Sequence, residues 1–221
     1  MSTPAPRPPV GPGEAAPPFA LPAVARPDRL VTLDDYRDQS PLFLALMVGL
    51  WCPFCRRQLV QLAAVDQKLK ALGVQSLAVV ATAPENAQVY FRFRPTTLML
   101  ASDPALATHR AYGVPKPEVT PALLSEMEAT RINPFGDAPA PMAPSQLGAW
   151  MQQRDGYQPT PSDQGDVDRQ WPQLKGQFLI DRHGIVRWAY IECATEGLAG
   201  LGKLPTDETI LAAAQSVLNP H

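Results

Sequence analysis

The 221-residue chain is long enough to bury one good core, and its length alone allows one or two domains. Hydrophobic residues at 45% and charged residues at 18% mark a globular chain and exclude a disordered one. A formal net charge of −2 gives no electrostatic case for nucleic acid or an anionic membrane as partner.

Residues 1–13 are small, polar and proline-rich, without the charged and apolar regions of a secretory signal, and are expected to be a flexible lead-in. The most hydrophobic run, 41–51, is about half the ~20 residues a membrane-spanning helix needs. The default location is therefore the cytoplasm. In a reducing compartment the three cysteines do not read as a structural disulfide framework, so a pair at C-x-x-C spacing points to redox or metal chemistry.

From about Ala16, PFALPAV and LVTLDDY alternate well enough for two short strands joined across 25–28. Residues 42–50 are continuously apolar, as in a central strand covered on both faces, and run straight into Trp51-Cys52. Pro53 suits the first position of a helix. Leu59, Leu62, Val65, Leu69 and Leu72 then form a helical stripe that Gly73 stops. A buried strand over 74–82, a helix over 84–93 and a third strand over 97–101 follow. Asp103-Pro104 reads as an N-cap and N1 proline of a helix ending at Gly113.

This alternation predicts a mostly parallel sheet, and it breaks over about 114–172. Many of the 26 prolines lie there, with one helix expected around 122–129 and the rest an insertion or lid. Strands over 177–180 and 185–191, joined by Asp181-Arg182-His183-Gly184, form a closing hairpin. A last helix spans 206 to about 218. The whole reads as a single domain over 14–221.

The chemistry centres on Cys52-Pro53-Phe54-Cys55. Residues three apart on a helix share a face, with Cβ atoms roughly 5–6 Å apart, and a modest adjustment brings them to the ~3.8 Å of a disulfide. Cys52 falls at the N-cap, where unpaired N–H groups and the positive end of the helix dipole favour a thiolate. Cys52 is thus the attacking thiol and Cys55, one turn inside, the resolving one. Trp51 and Phe54 are expected as apolar walls, and Arg56 and Arg57 as nearby positive charge. Two inert buried cysteines, or a zinc site, are the alternatives. Zinc wants four ligands, and there is no second C-x-x-C and no H-x-x-x-H.

Four stretches together resemble the alkyl hydroperoxide reductase/thiol-specific antioxidant (peroxiredoxin-like) family: GPGEAAPPFALPAV, VTLDDYRDQSPLFLALMVGLWCPFCRRQL, SDPALATHRAYGV and GQFLIDRHGIVRWAYIE. The resemblance covers about 10–116 and 174–218. It implies a thioredoxin-like three-layer α/β/α fold with a mixed central sheet, an N-terminal β-hairpin and a long proline-rich insertion before the last hairpin. It also implies a thiol-dependent antioxidant oxidoreductase, needing no cofactor, that acts on a peroxide or a disulfide and is re-reduced by a dithiol such as a thioredoxin-like protein.

The departures bear on mechanism. The family's peroxidatic pattern is Pro-x-x-x-Thr/Ser-x-x-Cys, and counting back from Cys52 finds Gly49 and Ala45 instead. Lys175 stands where the family has a peroxide-orienting arginine and where thioredoxin-like relatives have a cis-proline. A lysine is one point-charge donor without the arginine fork, so the residues favour thiol–disulfide exchange over peroxidase activity.

Cys193, at the end of the closing hairpin, lies in this fold on the same sheet edge as Cys52. It reads as a small buried hydrophobe, with a second resolving thiol as the functional alternative. Glu192 and Glu196 beside it read as surface charge, with a proton relay as the alternative. His109, His183 and His221 are not placed as a base or metal ligand. The insertion, with Met142, Trp150, Met151 and Trp171, either covers the site, makes a homodimer contact or is a plain surface excursion. A binding module using the insertion as its interface is the reading that competes with an enzyme.

Overall fold

A computed structural model describes residues 7–218. His221 and residues 1–6 of the N-terminal segment lie outside the described residues. The rest of that segment is docked: Val10 is 1% exposed and donates its N–H to the Tyr112 carbonyl. Close approach requires a glycine at 113, where φ is +68° and a Cβ would lie 2.2 Å from the Pro8 carbonyl oxygen.

Strands β1 (Ala20–Pro22) and β2 (Leu30–Thr32) form the short antiparallel hairpin. The apolar run gives β3 (Leu42–Met47), all six residues buried, followed by α1 (Pro53–Ala71), β4 (Gln75–Val80), α2 (Pro84–Phe93) and β5 (Met99–Ser102). The helix expected to open at Asp103-Pro104 starts later, as α3 (Ala107–Ala111). Asp103 still caps it, since its Oδ2 accepts the Thr108 N–H at 2.7 Å, but the intervening residues make a turn in which Leu106 takes φ 56°.

The insertion holds three helices where one was expected: α4 (Pro121–Ala129), α5 (Pro144–Arg154) and α6 (Pro161–Gln170). Each has proline at its start, where the missing N–H costs nothing. Thr120 and Thr160 cap α4 and α6 through their hydroxyls. The prolines that look like helix breakers are helix starts. Strands β6 (Gly176–Ile180) and β7 (Val186–Ile191) and helix α7 (Asp207–Leu218) complete the chain.

The main sheet runs β5-β4-β3-β6-β7, with β5, β4 and β3 parallel and β6 antiparallel to both its neighbours. Side chains of β3 alternate between its two faces, as strand geometry dictates. Phe43, Ala45 and Met47 join a core with Leu59, Leu62, Val65 and Leu69 of α1 and Ile210 and Ala214 of α7. Leu42, Leu44 and Leu46 join another with Leu21, Val31, Tyr112 and Phe178. This is the thioredoxin-like α/β fold with a mixed sheet. Because β7 is parallel to β3, both end on the edge where α1 begins. Among the described residues no helix is long and apolar enough to cross a membrane.

Candidate active site

The sequence turns from β3 into α1 across Val48–Trp51, and that turn is held by side chains from far along the chain. The Oε1 of Gln170, at the end of α6, accepts the Gly49 N–H and the Trp51 indole N–H, each at 2.7 Å, while its amide group donates to the Ala81 carbonyl at 2.5 Å. Thr82 accepts the Leu50 N–H at 2.8 Å, and the Cys52 N–H is turned back to the Gly49 carbonyl at 3.1 Å. A side chain at position 49 has no room, for its Cβ would lie 2.5 Å from Gln170 Oε1 and from the Trp51 ring. The Gly49, Leu50 and Cys52 N–H groups are therefore committed within the protein.

Arg56 is also turned away from the thiol. Its guanidinium donates to the Leu50 and Trp51 carbonyls, both at 3.0 Å, stacks 3.8 Å from the Tyr157 ring centre and lies 3.9 Å from Asp155. Charge expected from it beside Cys52 is instead spent bracing the turn against the loop between α5 and α6. Arg57 pairs with Asp137 and, at 3.5 Å, with Asp155.

Cys52 is the residue before α1, Pro53 opens the helix, and Cys55 lies one turn in. Both are free thiols in this structure. Cys52 is 7% exposed and lines a cavity, whereas Cys55 is fully buried and does not. Their acidities diverge. The hydrogen bond from the Cys55 thiol, helped by the Lys175 charge, holds the Cys52 pKa below the ordinary thiol value against the pull of burial. Burial, then the hydrogen bond to Cys52, pushes Cys55 well above it.

Lys175 and Glu192 face each other just beyond β6 and β7, whose register pairs Gly176 with Ile191. The Lys175 Nζ lies 2.7 Å from Glu192 Oε1, with exposures of 5% and 2%. The Lys175 N–H donates to the Glu192 carboxylate at 3.2 Å, and the Gly202 N–H adds a bond at 2.8 Å. Burial works against the Lys175 ammonium, but Glu192 and then the two cysteines outweigh it and raise its pKa. Glu192, expected at the surface, is thus interior, because the loop after β7 folds back over it. Glu196 remains exposed and pairs with Lys203.

Cys193 takes a left-handed backbone with φ 63°, is half-buried and does not line the cavity. Burial, then the Glu192 charge, pushes its pKa up to about 12, so the possible third thiol is a poor nucleophile as placed. A cis peptide bond joins Trp171 to Pro172, three residues before Lys175, and both residues line the cavity.

That cavity, about 660 Å³, is where the insertion meets the dithiol. Phe54 and Trp51 form part of its wall, as expected, facing residues of α4, α5 and α6. Met151 is buried in the core, and Met142 and Trp150 pack against it. The insertion covers the site. Gln170, Thr82 and Tyr157 escaped the sequence reading, since Gln170 is 121 residues from the amide it caps and no local pattern marks it. Among the described residues no group of three or more His, Cys, Asp or Glu side chains could hold a metal ion.

No curated protein matches the chain in sequence. Solved structures match in fold. A 2-Cys peroxiredoxin of Plasmodium vivax, in its reduced form, has a TM-score of 0.59 at 14% identity, covering 95% of this chain and 83% of that one. Peroxidoxin BcpB of Mycobacterium tuberculosis has 0.57 at 12%, covering 94% and 98%. A protein of Chlorobium tepidum assigned as the thiol:disulfide interchange protein DsbE has 0.52 at 22%, covering 93% and 99%. The model of the AhpC/TSA family matches residues 12–189, from the docked N-terminal segment through the C-x-x-C turn to the closing hairpin, and the chain belongs to that family.

Proposed function

We propose that this protein is a thiol–disulfide oxidoreductase. Family membership and fold support thiol-dependent redox chemistry; the observation that carries the finer reading is the division of labour between the cysteines. One lowered thiol lines the cavity, and one raised, fully buried thiol stands a helical turn behind it. The Cys52 thiolate attacks one sulfur of a substrate disulfide, forming a mixed disulfide and expelling the other sulfur as thiolate. Cys55 then loses its proton, attacks the Cys52 sulfur and releases the second substrate thiolate. Substrate gains two electrons and the protein holds a Cys52–Cys55 disulfide, which a dithiol reductant of the thioredoxin type reopens.

Family membership also brings a peroxide into consideration. Cleaving an O–O bond quickly needs donors for the charge developing on the leaving oxygen. The N–H groups of Gly49, Leu50 and Cys52 are already bonded, and the Lys175 ammonium is held in an ion pair by Glu192. The test is a trapping experiment. Cys55→Ser should accumulate a mixed disulfide at Cys52 on exposure to a disulfide, and the wild type should form the Cys52–Cys55 bond by peptide mapping. Stopped-flow oxidation by hydrogen peroxide faster than that of free cysteine would replace this reading with a peroxidase.

A further inference from the structure

The cavity at Cys52 carries an inference about substrate class that rests on the thiol–disulfide reading. We propose that the substrate is a low-molecular-weight, uncharged organic disulfide bearing an apolar group, and that the insertion forms its binding pocket.

Size comes first. About 660 Å³ lies within the roughly 300–1,000 Å³ typical of small-molecule pockets. The attacking cysteine is part of the wall, so a bound molecule lies against the sulfur. Leu124, 46% exposed on α4, presents an apolar side chain at the cavity.

Charge comes next. Four charged side chains line the cavity: Lys175, Glu192, Glu128 and Asp163. The single cation is paired with Glu192, and Asp163 is occupied by Tyr157 and Thr160. A carboxylate-bearing disulfide would meet acidic neighbours and no free cation, and burying its charge there is costly. An extended protein segment has a different difficulty, since each residue brings an N–H and a C=O that need partners. Leu123, Met127, Val167 and Leu201 supply no side-chain partner. The lining groups of Tyr157, Thr160, Gln164 and Gln173 already bond within the protein, which leaves Ser145 and Gln152 as polar lining side chains.

Gly148 is an independent sign. It sits in the middle of α5, where glycine costs about 1 kcal/mol relative to alanine. Its backbone has no positive φ to require glycine, and an added Cβ would meet only the Pro53 Cγ at 3.8 Å. An alanine Cβ would therefore fit, and a longer side chain would extend from this cavity-lining position beside Pro53. The missing side chain leaves room for something else.

The step balances without a further reagent in a single turnover. The S–S bond of the substrate breaks, the Cys52–Cys55 bond forms, and two thiols leave with the two protons the cysteines lose. The experiment uses reduced protein freed of small thiols and three oxidants: dibenzyl disulfide, the dianionic dithiodiglycolate, and insulin. Each single-turnover rate is divided by that of dithiothreitol with the same oxidant. The normalised rate with dibenzyl disulfide should exceed both others by at least about tenfold, and Gly148→Leu should cut that advantage severalfold. Equal or faster normalised rates with insulin or dithiodiglycolate overturn the substrate class and leave the dithiol chemistry standing. An advantage unchanged in a folded Gly148→Leu protein also overturns it. Failure of all three oxidants to produce the Cys52–Cys55 bond overturns the thiol–disulfide reading and this inference with it.

Discussion

Gln170→Leu removes a side chain of the insertion that bonds directly to the β3–α1 turn while keeping its approximate volume. Three groups lose a partner: the Gly49 N–H, the Trp51 indole N–H and the Ala81 carbonyl. Gln170 is fully buried, and so is Ala81, while the Gly49 bond is buried as well. A buried polar group left unsatisfied costs about 1–3 kcal/mol, so the Gly49 and Ala81 groups together cost about 2–6 kcal/mol. Half-exposed Trp51 adds little, because water can replace the lost acceptor. Urea unfolding measures this directly, as a fall in midpoint with an unchanged slope. The same variant should slow mixed-disulfide formation, since the residues leading into Cys52 lose their anchor. A loss of stability below about 1 kcal/mol would refute the argument that Gln170 holds the turn.

Alkylation of Cys52 by iodoacetamide should rise through pH of about 7 and level off above it, while Cys55 stays unreactive over that range. Lys175→Met should move the Cys52 profile to higher pH, each unit of rise costing about tenfold in rate below the pKa; an unmoved profile would show that the ammonium does not act on the thiol. Glu192→Gln should destabilise by about 3–5 kcal/mol by stranding a buried cation, and the double change with Lys175→Met should cost less than either single one. His109 is fully buried, both its ring nitrogens lack a partner, and burial lowers its pKa to about 4. An unfolded histidine titrates near about 6.5, so between the two values the unfolded chain binds the extra proton and stability falls as the pH falls. This term is absent above pH ~6.5 and reaches roughly 3 kcal/mol of lost stability by pH ~4; His109→Leu should flatten that part of a stability profile.

The sheet, α1 and the dithiol were legible because each is written in local pattern: an unbroken apolar run, a stripe at helical spacing, two cysteines three apart behind a proline. Lys175 was legible by its place before the closing hairpin, though its partner Glu192 was not, since nothing local distinguishes a glutamate at a strand end that is covered from one that is not. Of the insertion's helices α4 was legible, whereas proline density hid α5 and also α6, though Thr160-Pro161 marks the start of α6 locally.

What no window of sequence could show is a contact spanning 121 residues. Gly49 illustrates the point. From sequence it is a missing hydroxyl, a gap in the peroxidatic pattern. In the fold it is a place already taken, because the Gln170 amide and the Trp51 ring occupy the space a side chain would need, 2.5 Å from its Cβ. Restoring threonine at 49 would therefore displace Gln170 before it offered a hydroxyl to any substrate. The departure from the peroxidatic pattern and the presence of the insertion are two ends of one contact, so a change at either end must be read together with the other.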